Sequence, residues 1–224
     1  MNKVRVCSSH LITGGSPMRF DPRKVPRLGV MPRYAKDDKD MKWFDVQGFN
    51  MFHLANGWDE EDGEGRGSVV VVAPNVLSIN HGIERIDLFH GRMEMVRIDL
   101  GNNGAMTRKA LSKDNLEFPV INPAYAGKKN RSVYAMIIND APRMTGVVKL
   151  DLDMAAKNGG YIEECVVARR EYEPGCYGEE VSFVAREIKD QNGVDIVASV
   201  KLLARVPYGF HGLFIKEKDL RCLM

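Results

Sequence analysis

Three five-residue fragments stand at equal spacing along the chain: "VRIDL" from Val96, "VKLDL" from Val148 and "VKLLA" from Val200, 52 residues apart. Aliphatic and charged residues alternate in the first two, so one face of each can be buried and the other solvated. Both are followed by a polar turn and another strand-like run. A period near 50 residues with several short strands per unit is the mark of a β-propeller blade. The competing reading is three short β fragments aligned by chance. At this period the 224 residues hold about three to four blades.

The rest of the chain agrees with a mostly β class. "GSVVVVA", "MEMVRIDL", "RSVYAMII", "GVVKLDLD", "YIEECVVARR", "EVSFVARE", "DIVASVKLL" and "GLFIKE" are short runs rich in β-branched and aromatic residues. Turn clusters separate them: "GNNG", "EPGCYG", "KNGG" and "DQNG". The most helical window, "APNVLSINHGIERIDLF", is short and broken by glycine. An apolar fraction of 44% supplies a sizeable core. The charge is nearly balanced, with 32 basic and 30 acidic residues, so no basic footprint for nucleic acid is present. No apolar run reaches the roughly 18–20 residues that span a bilayer, and the chain is expected to be soluble. Cys7, Cys165, Cys176 and Cys222 share no metal or redox spacing and read as free thiols of a reducing compartment. The N-terminus is basic but shows no clear targeting helix.

Chemistry has few candidates. No nucleophile elbow, phosphate loop or dinucleotide fingerprint is present; "GEGRG" does not open a helix. The five histidines, His10, His53, His81, His90 and His211, show no local ligand spacing, and each by itself reads first as a structural residue. His53 lies in "NMFHLANGW". Extended alternation there puts Met51, His53 and Ala55 on one face and Phe52 and Leu54 on the other. On the innermost strand of a blade, that face meets the central channel and the histidines of other blades. His211, in "RVPYGFHGLFI", is flanked by glycines that permit close backbone approach. His81 and His90 read as surface or packing residues. Glu117 in "NLEFPVINP" and Glu180 in "GEEVSFVAR" have apolar neighbours and are candidates to orient metal-bound imidazoles; Glu179 and the run Asp59 to Asp62 read as solvated.

Five stretches carry a specific resemblance: "ITGGSPMRFDPRKVPRLGVMPRYAKDDKDMKWFDVQGFNMFHLANGWDEEDG", "NLEFPVINPAYAGKKNRSVYA", "MTGVVKLDLD", "CYGEEVSFVAR" and "RVPYGFHGLFI". Together they closely resemble the carotenoid cleavage dioxygenases of plants. "VPRLGVMPRYA" and "VAPNVLSINHGIERIDL" look most like the 4-type plastid branch. The resemblance runs from about Ile12 to about Lys216 and leaves residues 1–11 unmatched within a single partial propeller domain, 1–224. It implies part of a seven-bladed propeller with Fe(II) on its axis, held by four histidines, three of them oriented by glutamates. Its implied activity is cleavage of a carotenoid or apocarotenoid double bond by O2 to two carbonyl products. By residue, His53 and His211 match two iron ligands, and Glu117 and Glu180 match the carboxylates behind them, paired as Glu117 with His53 and Glu180 with His211. Phe52, Leu54 and Phe210 match the lining of the substrate tunnel. Plastid location and peripheral membrane association are implied in the same way.

The sequence also departs from that family. The other two iron histidines and the first glutamate are expected upstream of "GGSP"; the resemblance puts His10 on a connecting segment, so it is not taken as a ligand. "GEEVSF" stands where the family has "GGEPFF", and only "KDQNG" separates "SFVAREI" from "VDIVASVKL". The alternative is therefore a catalytically inactive, truncated propeller fragment that binds a partner or an apolar ligand.

Overall fold

In the computed structural model, residues 4–6, 18–61, 67–77, 85–101, 104–156, 164–185 and 215 are described. Among them are twelve strands, three short 3-10 turns and no α-helix. β1 (Val4–Val6) pairs with β2 (Met18–Phe20), and β3 (Arg27–Val30) with β4 (Lys42–Asp45), both antiparallel. The remaining strands form two four-stranded antiparallel sheets in simple sequence order. The first holds β5 (Asn56–Glu61), β6 (Gly67–Val76), β7 (Gly91–Asp99) and β8 (Met106–Ala110). The second holds β9 (Leu116–Val120), β10 (Ser132–Asp140), β11 (Arg143–Asp151) and β12 (Val166–Glu171).

These are two consecutive propeller blades, and the fold is part of a β-propeller. The 52-residue repeat has a structural meaning at its first two instances. Val96 lies on β7 and Val148 on β11, the third strand of each blade. The third instance lies outside the described residues, as do "KNGG" and "DQNG". The window read as most helical opens as strand instead, because Ala73 to Val76 complete β6 and pair with Gly91 to Glu94. The run "EVSFVARE" was expected as a strand, but Val181 to Ala185 have no strand pairing.

The blades pack face to face. Trp58, Val70, Val72 and Met93 of the first meet Leu111, Leu116, Val133, Ile137, Val148 and Leu150 around the second in one buried cluster. A second cluster covers the opposite face of the first blade, where Val46 and Phe49 lie on Ala73, Val96 and Ile98. Both faces of the first blade are thus covered, one by the segment before it and one by the second blade, as a propeller requires. Cys165 is buried and Cys176 exposed, and neither is paired in a disulfide.

Candidate metal centre

The segment that carries His53 links these two clusters. Met51 packs in the Val46–Phe49 cluster and Ala55 against the inter-blade cluster. Between them the chain runs beside β6: the Val76 amide donates to the Asn50 carbonyl and the Ala55 amide to the Val72 carbonyl. The alternation read from the sequence appears as burial. Met51, His53 and Ala55 are half-buried, while Phe52 and Leu54 are exposed, at 46% and 52%. The stretch is nevertheless not regular strand, since β5 begins only at Asn56.

Glu117 comes from β9, the first strand of the next blade, and is 2% exposed. His53 Nδ1 lies 2.8 Å from Glu117 Oε2. The same oxygen accepts from the Phe118 amide. Phe118 has a left-handed backbone, φ 50°, which is costly for a residue with a side chain. Its ring lies 4.6 Å from the His53 ring, tilted by 33°. One short segment thus supplies both a hydrogen-bond partner and an aromatic wall for the imidazole.

Close approach between the blades makes this contact possible. A Cβ on Gly91 would run into the Leu116 carbonyl oxygen. The Gly91 amide donates to Asn115 Oδ1 (2.7 Å), and Asn115 Nδ2 donates to the Phe89 carbonyl (2.8 Å). Gly91→Ala is therefore expected to push β9 away and cost about 1–3 kcal/mol, the usual range for overpacking. Chemical denaturation measures it, and an unchanged midpoint would contradict this packing.

The hydrogen bond with Glu117 raises the His53 pKa; burial opposes this, and the charges of Glu117 and then Glu180 add to it. The folded metal-free chain therefore holds a proton on His53 more tightly than the unfolded chain does. A histidine with a raised folded pKa contributes stability that is full below the unfolded value, about 6.5, and is lost as pH rises through the folded value. His53→Gln should thus cost more stability at pH 6 than at pH 9. Equal cost at both, measured by thermal unfolding, would show that no stabilising imidazolium forms.

Glu180 acts on His53 through space and belongs to the same neighbourhood. Its segment is held by the Gly178 amide, which donates to the Met144 carbonyl (2.8 Å). Val181 packs with the cluster of Phe118, Met136, Ile138 and Met144. Phe52 stacks on Phe89, with ring centroids 6.4 Å apart. His90 is half-buried, and burial, with Arg92 adding to it, lowers its pKa. His211, Phe210, His10 and His81 lie outside the described residues. Glu60, expected to be solvated, accepts from the Trp58 indole and pairs with Arg97, two strands away on β7, and with Lys129 from the loop before β10.

This donor set fits a metal ligand. With Nδ1–H donated to Glu117, the neutral tautomer carries its lone pair on Nε2. Glu117 Oε1 is buried with no hydrogen-bond partner. A buried carboxylate oxygen left in that state favours a cation nearby. Among the described residues no group of three or more metal-ligating side chains converges.

Residues 2–196 match the family described as retinal pigment epithelial membrane protein (RPE65). Over 95% of its length the chain is 45% identical to a probable chloroplastic carotenoid cleavage dioxygenase 4 of Arabidopsis thaliana, covering 39% of that protein. It is 42% identical over 94% to a chloroplastic 9-cis-epoxycarotenoid dioxygenase of Oryza sativa subsp. japonica, covering 36%. It is 41% identical over 95% to a chromoplastic zeaxanthin 7,8(7',8')-cleavage dioxygenase of Crocus sativus, covering 63%. The chain therefore spans from about a third to under two thirds of these relatives. Among solved structures, a chimera named ACO/RPE65 aligns with TM-score 0.53 and 22% identity over 68% of this chain and 33% of that one. Cobalt-substituted Synechocystis ACO aligns with TM-score 0.50 and 22% identity over 62% and 29%.

Proposed function

The chain belongs to the retinal pigment epithelial membrane protein family, and from that premise we propose that it is part of an Fe(II)-dependent dioxygenase. The reaction is cleavage of one carbon–carbon double bond of a carotenoid or apocarotenoid. Both atoms of O2 are consumed, and each former alkene carbon becomes a carbonyl. The observation that carries the proposal is the His53–Glu117 contact, formed across two blades by residues 64 positions apart.

His53 would ligate iron through Nε2, and His211 would supply a second imidazole. Ferrous iron, when bound, supplies the redox chemistry that lets O2 react with a conjugated alkene. Glu117 holds the His53 ring in one tautomer and one orientation. It also places negative charge behind the imidazole, as Glu180 does through space, which offsets the charge of a divalent ion held by neutral ligands. Phe118 covers one face of the ring and limits water there. Phe52, Leu54 and Phe210 would guide the polyene, which has no polar group along its length to bind.

The relatives' names place them in chloroplasts or chromoplasts, which supports a plastid location here. Peripheral membrane association belongs to the same proposal, as such a substrate partitions into lipid. Residues 1–224 form one partial propeller domain in this reading, with 1–11 as its N-terminal segment, which contributes β1 (Val4–Val6).

The test is anaerobic loading with Fe(II), metal analysis per chain, and product detection after adding O2 and a β-carotene-type substrate. Bound iron with O2-dependent aldehyde or ketone products is expected. Iron near zero with no carbonyl product would favour the non-catalytic binding fragment instead.

A further inference from the structure

Glu94 is a carboxylate at 1% exposure on β7. It does not touch His53, and nothing above gives it a role. Its partners form a closed set. Glu94 Oε1 accepts from Asn75 Nδ2 (2.9 Å) and from Arg92 Nε and Nη2 (3.0 and 2.7 Å). Glu94 Oε2 accepts from Arg108 Nε and Nη2 (3.1 and 2.5 Å). A buried charge held by two guanidiniums in this way is fixed in position, since moving any member leaves another desolvated.

The outward side of the cluster grips one turn. Arg108 Nη1 donates to the Gln47 carbonyl (2.6 Å), and Asn75 Nδ2 to the Gly48 carbonyl (3.0 Å). Asn75 Oδ1 accepts from the Asn50 amide (2.8 Å). Arg108 also lies over the Phe49 ring, 5.4 Å from its centroid. The Phe49 amide closes the turn onto the Val46 carbonyl (3.1 Å), with Gly48 in the left-handed region at φ 71°. Both central carbonyls and the exit amide of this turn are thus tied to blade side chains. His53 follows three residues after Asn50.

We infer that the Glu94–Arg92–Arg108–Asn75 cluster is the positioning unit of His53: it anchors the Gln47–Asn50 turn to the first blade so that the imidazole meets Glu117 of the second. The inference rests on the reading of His53 as a metal ligand. These are positioning residues, acting through the turn.

The test is 15N NMR of the imidazoles in the full metal-free chain, read at the alkaline plateau where the His53 shifts no longer change with pH. The His53 signal is identified by its loss in His53→Gln. In the wild type the Nδ1–H tautomer should dominate, because Glu117 accepts that proton. In Glu94→Gln, and in Asn75→Ala as the milder second variant, the Nδ1–H to Nε2–H ratio should fall about tenfold, the equivalent of one lost hydrogen bond. Arg108→Lys, which keeps the charge, should restore part of the ratio lost in Arg108→Ala. Val148→Ala, which destabilises the second blade, should leave it unchanged. A wild-type ratio in folded Asn75→Ala and Arg108→Ala would overturn the inference, whatever their unfolding midpoints. Because no metal is added, failure of iron loading would count against the proposed function and leave this result intact.

Discussion

Replacing His53 with alanine is expected to reduce iron content and carotenoid cleavage to background. It also destabilises the metal-free chain, by about 1–3 kcal/mol, the cost of leaving a buried hydrogen-bonding group without its partner. The two effects have one origin. Glu117 is almost wholly buried, and His53 Nδ1 is one of two groups bonded to its Oε2. Without the imidazole the carboxylate keeps the Phe118 amide alone and sits deep in the inter-blade region. Metal analysis, turnover and urea unfolding of the same preparation measure all three. Full turnover with normal iron content in His53→Ala would remove this residue from the site.

Glu117→Gln separates orientation and charge from shape. Glutamine fills the same space and can still accept from Nδ1, so the fold should survive. Its lost charge no longer raises ligand basicity or offsets the cation. Substitutions of groups that orient metal-bound histidines commonly cost 10–100-fold in metal affinity, and a loss of about that size is expected here. Titration of Fe(II) under anaerobic conditions reads it directly. Unchanged affinity would mean that Glu117 serves packing alone.

Much of this was legible in the sequence because β structure writes a short period. The alternation in "NMFHLAN" set Met51, His53 and Ala55 on one face and Phe52 and Leu54 on the other, and burial divides them in the same way. The interval from Val96 to Val148 forecast equivalent strands, and both are third strands. What failed had physical causes. Pro74 to Val76, beyond the strand-like run "GSVVVVA", fell in the most helical window because Pro and Asn are poor strand formers. Ladder pairing with β7 overrides that preference. Val181 to Ala185 have strand composition but no strand beside them in the described residues.

The Glu94 cluster went unseen for a different reason. Its members come from three strands and make no local motif. One signal was available: Glu94 is in phase with Val96 and Ile98, on the face that the alternation of β7 buries. An acid on an apolar face must find partners. Asn75 and Arg108, one on each neighbouring strand, were within reach of that reasoning once the blade order was known. Gly91 offered no such cue, since its need arises only from the approach of Leu116.

The most direct measurement is anomalous diffraction at the iron edge from crystals of the chain loaded anaerobically with Fe(II). The account predicts a peak within coordination distance of His53 Nε2, with Nδ1 still bonded to Glu117. A peak elsewhere, or none beside His53 in crystals whose metal content shows iron, would contradict it.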